Sequence, residues 1–305
     1  MPELPEVETM RRGIAHLAGL RIQGVTFPRR TVRPISLQPG ALAMQRRLTG
    51  RTVAAMHRYG KRVAIELDSQ DRAGREWLVI EPRMTGLMLV ADPPTQTHVR
   101  MEIRMEIRME IRLEIRMEIG FHGLPDPAAR HRLTFWDRRG LGTIRLLDER
   151  GLAAACGPDR LGPDGLSITG DELRDRLGTS RRAVKVALLD QHAVAGIGNI
   201  YAAEILREAG IDPRVPCRRL TVDHWEQIAA ATRGILAEAV RLEGSTITDE
   251  TYKTADNRSG QFQLRHRVYG REGQPCHECG GAIRRIVLAQ RSTFFCPSCQ
   301  WHPRR

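Results

Sequence analysis

From residue 20 to about 150 the chain alternates short apolar and polar positions, broken by Gly, Pro or charge. Arg62–Leu67, Trp77–Ile80, Arg132–Phe135 and Gly142–Leu147 are the clearest such runs. Short strands at that spacing predict an antiparallel sandwich or barrel-like β domain. Gly157–Gly165 is dense in turn residues and predicts an interdomain hinge. Helical periodicity follows: Trp225, Ile228, Ala229, Thr232, Ile235, Leu236 and Ala239 fall at i, i+3, i+4, i+7 spacing, with Thr221 placed as N-cap and Gly244 as the stop. The last forty residues return to short strands.

One run stands apart. From Arg100 to Ile119 the tetrapeptide Arg-Met-Glu-Ile recurs, with Leu113 once replacing Met. Met and Ile recur at period two, so the run reads as a strand with one apolar and one Glu/Arg face. Twenty residues at roughly 3.3 Å each would make a strand of ~66 Å, far beyond the usual length. A tandem expansion of one edge strand is the reading; its charges cancel and its register is weakly specified.

Charge then narrows the class. The 305 residues carry 48 Lys and Arg against 36 Asp and Glu, a net +12. A basic surface suits a polyanion, because neutralised phosphates release counterions. A generally basic proteome explains the same balance, and composition does not separate the two. No apolar run reaches membrane-spanning length. The start, Met1-Pro2-Glu3-Leu4-Pro5-Glu6, lacks the apolar core of a secretory signal. The expectation is a cytoplasmic protein with no membrane partner.

Of six cysteines, four form Cys276-x-x-Cys279 and Cys296-x-x-Cys299, separated by sixteen residues. Paired knuckles of this kind close a tetrahedral thiolate site for one structural Zn²⁺, and the metal supplies folding energy to a short segment. His277 and His302 are bystanders on this reading. Cys156 and Cys217 are expected to be buried or incidental. Val184–Gln191 and Gly196–Glu204 read as two helices joined by a glycine turn, with Asn199 placed as N-cap of the second. Such a helix N-terminus is a seat for a DNA phosphate, although an ordinary helical hairpin has the same pattern. With Met1 removed, Pro2 would present a secondary amine able to form an iminium with a sugar carbon, and Glu3 would supply a carboxyl for proton transfer. Taken alone, that start is also an acidic helix opening with Pro in its first turn.

Pro2–Thr9, Leu188–Ala203 and Val268–Gly273 with the cysteine knuckles together resemble the formamidopyrimidine-DNA glycosylase family. The resemblance implies an α+β multidomain protein: an N-terminal β-sandwich with a flanking N-terminal helix, then a helix–two-turns–helix domain with a zinc finger. The expected divisions are 1–156 for the catalytic sandwich, 157–168 for the hinge, 169–262 for the helical domain and 263–305 for the finger. It implies excision of oxidised purines (8-oxoguanine, formamidopyrimidines) from damaged double-stranded DNA, by a Schiff base to Pro2 and β,δ-elimination at a flipped-out nucleotide. Glu3 would assist at the sugar, Lys61 would contact flanking phosphates, and Arg291 would grip phosphate in the second elimination. Lys185, Asn199 and His98 match DNA-contacting positions.

Met84 and Arg139 match residues that fill the void left by the flipped base. Leu141 stands where the family usually has Phe, and Gly140 where it has Arg. Glu81-Pro82 and Thr248–Gly260 also depart from the common pattern. An endonuclease VIII-like enzyme for oxidised pyrimidines is the nearest alternative, disfavoured because that group has glycine in place of Leu4. A catalytically silent zinc-dependent DNA-binding protein is the other, and it has no need of an N-terminal amine.

Overall fold

The computed structural model describes residues 2–28, 33–68, 74–106, 131–247 and 251–302. They form two compact units. Pro2, Glu6–Ala153 and Thr246–Gly260 belong to the first; Glu3–Pro5, Ala154–Ser245 and Gln261–Arg305 belong to the second.

In the first unit, strands β1 (Ile22–Thr26), β7 (Val99–Met105), β8 (Arg132–Asp137) and β6 (Gly86–Leu89) make one sheet in that order. Strands β2 (Ser36–Gln38), β9 (Thr143–Leu147), β5 (Glu76–Glu81), β4 (Arg62–Asp68) and β3 (Thr52–Tyr59) make the other. Branched and aromatic side chains alternating on a pleat explain the strands. Ile65, Leu78, Ile80 and Ile144 from one sheet share a core with Leu87, Met101, Ile103 and Phe135 from the other, as expected of a sandwich. Helix α1 (Leu4–Gly13) adds Val7 and Met10 to that core, and α2 (Ala41–Leu48) adds Met44 and Leu48.

One pairing departs from the all-antiparallel expectation. Strand β2 runs parallel to β9, with Ser36 opposite Thr143. A parallel pair needs a long crossover, and the hundred-odd residues between the two strands provide it.

The repeat is described only to Glu106; its remainder, through Ile119, lies outside the described residues. Within β7, Met101, Ile103 and Met105 are buried, Glu102 is half-buried and Arg104 is exposed, which is the period-two face expected. Arg100 is the exception. It is buried, and its guanidinium donates twice to the Asp137 carbonyl, at 3.0 and 2.9 Å.

The chain returns to the first unit between Thr246 and Gly260, so the single 169–262 division does not describe this stretch. Tyr252 and Ala255 join the β core, and the Ala255 carbonyl accepts from the Val90 and Ala91 amides. Arg138 Nη2 donates to Thr251 Oγ1 at 3.0 Å.

The second unit is helical. Helix α3 spans Glu149–Cys156 at the join, followed by α4 (Gly170–Leu177), α5 (Val184–Leu188), α6 (Asn199–Glu208) and α7 (Val222–Arg241). Thr221 caps α7 in a reciprocal box with His224, and the predicted apolar stripe is buried throughout. Gly244, at φ +79°, donates to the Ala239 carbonyl and ends the helix as expected. The turn-dense stretch expected as a hinge is bonded to the loop before α6: Gly162 donates to Gln191 O, and Ala195 to Pro163 O. Strands β10 (Arg284–Leu288) and β11 (Arg291–Phe295) form the hairpin between the cysteine pairs. Its turn residues Ala289 and Gln290 both have positive φ, the geometry of a tight hairpin turn that usually takes Asn-Gly. No helix among the described residues is long and apolar enough to cross a membrane.

Glu8 gives the first unit an acid-sensitive joint. Its carboxylate accepts from Arg11, Arg12 and Arg58 at 2.8 to 3.1 Å. Burial works against its ionisation, but the hydrogen bonds from Arg11 and Arg12 and the charges of Arg11 and Arg58 outweigh it and hold the carboxyl at about 2. A depressed carboxyl contributes stability above its unfolded value and loses it as pH falls towards the folded one. Glu8→Gln should therefore cost up to about 3 kcal/mol at neutral pH. That cost should shrink towards zero between pH 4.5 and 2. Urea unfolding of the wild-type and variant proteins across this range, followed by tryptophan fluorescence, measures it; a pH-independent difference would refute the assignment.

Candidate active site and metal centre

In the second unit the sequence-distant motifs meet at one point. The carboxylate of Glu3 accepts from the backbone amides of Ile200 at 3.0 Å and Tyr201 at 3.4 Å, in the first turn of α6. Leu4 N donates to Gly196 O at 3.0 Å. The glycines are there for clearance. A Cβ on Gly198 would lie 2.2 Å from the Glu3 carboxyl carbon, and one on Gly196 would lie 2.4 Å from a Leu4 methyl. Gly196 also has φ +102°, which other residues avoid. Gln191 braces the loop, accepting from Gly196 N at 2.9 Å and donating to Leu189 O and Ile197 O.

Two expectations change here. Asn199 is the first residue of α6, and Gly198 is its N-cap with no side-chain cap bond. The amides expected to seat a phosphate are occupied by Glu3, because an internal carboxylate satisfies the same free N–H groups and positive dipole end.

Asn199 serves another partner. Its Oδ1 accepts from Lys185 Nζ at 2.5 Å, and its Nδ2 donates to Ser292 O at 3.1 Å. Lys185 is fully buried and also reaches Thr293 Oγ1 at 2.8 Å and Ser292 O at 3.3 Å. Three acceptors thus take its three protons. Burial pulls this ammonium down to about 8; the nearby charge of Arg291 adds to the fall and that of Glu3 offsets part of it. Glu3, Lys185, Asn199 and the strand bearing exposed Arg291 are therefore one constellation.

In the first unit, Met84 and Arg139 lie on two turns joined by one buried carboxylate. Asp137 accepts from Thr85 Oγ1 at 2.5 Å, from Arg139 N at 3.2 Å and from Gly142 N at 2.8 Å. Arg139 N also donates to Thr85 Oγ1 at 2.9 Å. Leu141 is half-buried in the same turn. Gly140 has φ +62°, and a Cβ there would lie 2.4 Å from Arg33 O, which accounts locally for glycine at this position. Asp137 and Thr85 were not among the expected site residues; an Asp before a Gly-containing turn was the available signal.

Lys61 follows Gly60 in the two-residue turn between β3 and β4, where Gly60 has φ +56°. Glu81, one of the departures from the family pattern, bonds Arg62 at 3.2 Å and pairs with Arg83 at 3.0 Å. That links the Lys61 turn to the Met84 turn. His98 is bonded through Nδ1 to Thr95 Oγ1 at 2.9 Å and stands edge-on to Trp136.

The four knuckle sulfurs lie within 4.8 Å of one another, with Cys276–Cys299 at 3.8 Å and Cys279–Cys296 at 3.5 Å. Four thiolates around Zn²⁺, with Zn–S bonds of about 2.3 Å in a tetrahedron, require sulfurs roughly 3.8 Å apart. The residues fit a single structural zinc. Cys217 and Cys156 are buried, as expected, and burial pushes the Cys217 thiol up to about 11. Glu204, buried on α6, accepts from the amides of Arg267, Val268 and Tyr269, tying the segment that leads into the finger.

Comparison with known proteins agrees with this arrangement. Residues 1–144 match the formamidopyrimidine-DNA glycosylase N-terminal domain, 161–251 the formamidopyrimidine-DNA glycosylase H2TH domain, and 273–300 the zinc finger found in FPG and IleRS. The formamidopyrimidine-DNA glycosylase of Chloroflexus aurantiacus is 38% identical, with 98% of each chain covered. The crystal structure of MutM (Fpg) from Thermus thermophilus matches with TM-score 0.78 and 34% identity over 98% of each chain. A Lactococcus lactis Fpg variant in complex with Fapy-dG-containing DNA matches with TM-score 0.80 and 28% identity, over 99% of this chain and 100% of that one. The chain belongs to the formamidopyrimidine-DNA glycosylase family.

The Gly198 contact is testable as an energetic coupling. The built Cβ meets only Glu3 side-chain atoms among its nearest neighbours. Gly198→Ala should cost about 1–3 kcal/mol through overpacking. In a Glu3→Ala background the cost should fall by about 1 kcal/mol or more. Urea denaturation of the four proteins closes the cycle, and additive costs would show that the glycine is not there for the carboxylate.

Proposed function

We propose that this chain is a base-excision DNA glycosylase and abasic-site lyase that removes oxidised purines from duplex DNA, with Pro2 as nucleophile once Met1 is removed. The observation that carries the reading is the Glu3 carboxylate, held by the Ile200 and Tyr201 amides in the peptide directly after Pro2. A carboxylate fixed by two donors keeps its place beside the nucleophile while the substrate changes.

The chemistry proceeds in balanced steps. The lesion is flipped out of the stack so that its C1′ is reachable. The Pro2 nitrogen bonds to C1′ as the C1′–N bond to the base breaks, and the base departs with a proton. The Glu3 carboxylate takes the Pro2 N–H proton and passes it to the ring oxygen as the C1′–O4′ bond breaks, giving an iminium between Pro2 and C1′ while the base takes its proton from solvent. Loss of a 2′ proton expels the 3′ phosphate, a second elimination expels the 5′ phosphate, and water releases the sugar fragment. Lys61 and Arg291 bind the departing phosphates. Met84, Arg139 and Leu141 occupy the vacated stack, Leu141 as an aliphatic wedge. Lys185 and Asn199 support the Arg291 strand on the DNA side, and His98 contacts the backbone. Zinc, when bound, supplies folding energy to the finger that carries Arg291. The same reading has the protein act as a monomer on the nucleoid in the cytoplasm.

The test uses duplexes carrying 8-oxoguanine, an oxidised pyrimidine or an abasic site, with borohydride present to reduce any iminium. A covalent adduct should form with the purine lesion and the abasic site. It should vanish in protein that retains Met1, where the Pro2 nitrogen is a peptide amide and cannot form an iminium. Adduct formation undiminished in protein that retains Met1 would overturn the nucleophile, and a preference for the pyrimidine would overturn the substrate class.

A further inference from the structure

Arg207 is out of keeping with its surroundings. It lies on α6 between buried Leu206 and the terminal Glu208, and its side chain is only 5% exposed. Nη2 reaches Glu278 Oε2 at 2.8 Å and Cys276 Sγ at 3.7 Å. Its buried Nε has no hydrogen-bond partner among the described residues. Glu278 is 58% exposed, so much of its charge is spent on solvent, and it also faces Arg267 at 3.7 Å. One shared, solvated carboxylate is a poor reason to bury a guanidinium.

The finger supplies the missing charge. Four thiolates around one Zn²⁺ carry a formal charge of −2, and Cys276 is one of the four. A thiolate accepts from an ionised donor far better than a neutral thiol does. We propose that Arg207 is an outer-shell positioning residue of the zinc site: it donates to the Cys276 thiolate, withdraws charge from the cluster and slows release of the metal. Glu278, inside the Cys276–Cys279 knuckle, aims the guanidinium at the sulfur. The helix that holds Glu3 at its first turn thereby braces the zinc centre near its last.

The experiment measures zinc release from the full-length, zinc-loaded protein to the chelator 4-(2-pyridylazo)resorcinol. Arg207→Met should release zinc about 10- to 100-fold faster, the usual scale for losing an outer-shell partner. Arg207→Lys should fall between the two, because a point charge replaces the fork. Glu278→Gln should change the rate less than Arg207→Met. Cobalt substitution supplies a readout that mere tethering would not move. Loss of the N–H···S bond should shift the sulfur-to-cobalt charge-transfer band to lower energy in Arg207→Met, leaving it nearly in place in Glu278→Gln. If Arg207→Met does not fold, Arg207→Lys carries the same two measurements. Wild-type release and an unmoved band in the folded arginine variant would overturn the proposal.

Discussion

The Glu3 carboxylate, with the Leu4 amide beside it, ties Glu3–Pro5 to the loop and first turn of α6. Its two oxygens satisfy amides that open α6 and would otherwise lack partners. The interaction requires a bare Gly198 beneath it and the positive φ of Gly196 just before it. Gln191 then fixes the loop that presents those glycines. Glu3 is part of the backbone hydrogen-bond system of the helix, fixed by the Ile200 and Tyr201 amides.

The same economy appears in the other two clusters. Asp137 ties three backbone or hydroxyl donors from two turns, so Met84 and Arg139 ride on a shared hydrogen-bonded base while the turns themselves stay at the surface. Lys185 spends all its protons on Asn199, Thr293 and Ser292 and thereby fixes the hairpin that carries Arg291. A buried cation that joins helix to finger costs desolvation, visible in its lowered basicity. What it provides is placement: the exposed arginine keeps its freedom at the tip, while its strand has little.

Much of this was legible in the sequence where the controlling forces are local. The Thr221 cap, the Gly244 stop, the apolar stripe of α7 and the cysteine knuckles all depend on residues within a turn or two of one another. The errors arise where distant groups compete for a local role. Asn199 has the chemistry of an N-cap, yet a carboxylate from 197 residues away takes those amides. Thr85 and Asp137 are 52 residues apart, so no spacing rule joins them. The return of Thr246–Gly260 to the β unit follows from Tyr252 and Ala255 filling its core, which a linear division cannot express. Lys185, matched to a DNA-contacting position by resemblance, is buried, and lysine is rarely buried without partners. Two of its three partners come from a strand more than a hundred residues later.

Strand β7 carries a consequence for the gene itself. Its four-residue unit is an even number of positions, so Met and Ile keep period two along the run, and within β7 they take the buried face at Met101, Ile103 and Met105. Adding or removing one whole unit leaves inside and outside unchanged, whereas a shift by an odd number would turn the core outward. Arg100 breaks the equivalence of the copies, since its guanidinium is anchored on the Asp137 carbonyl. That anchor makes the start of the run the fixed end. Whatever the number of units after it, the register of β7 against β8 is set at this anchored end, beside the Asp137 turn.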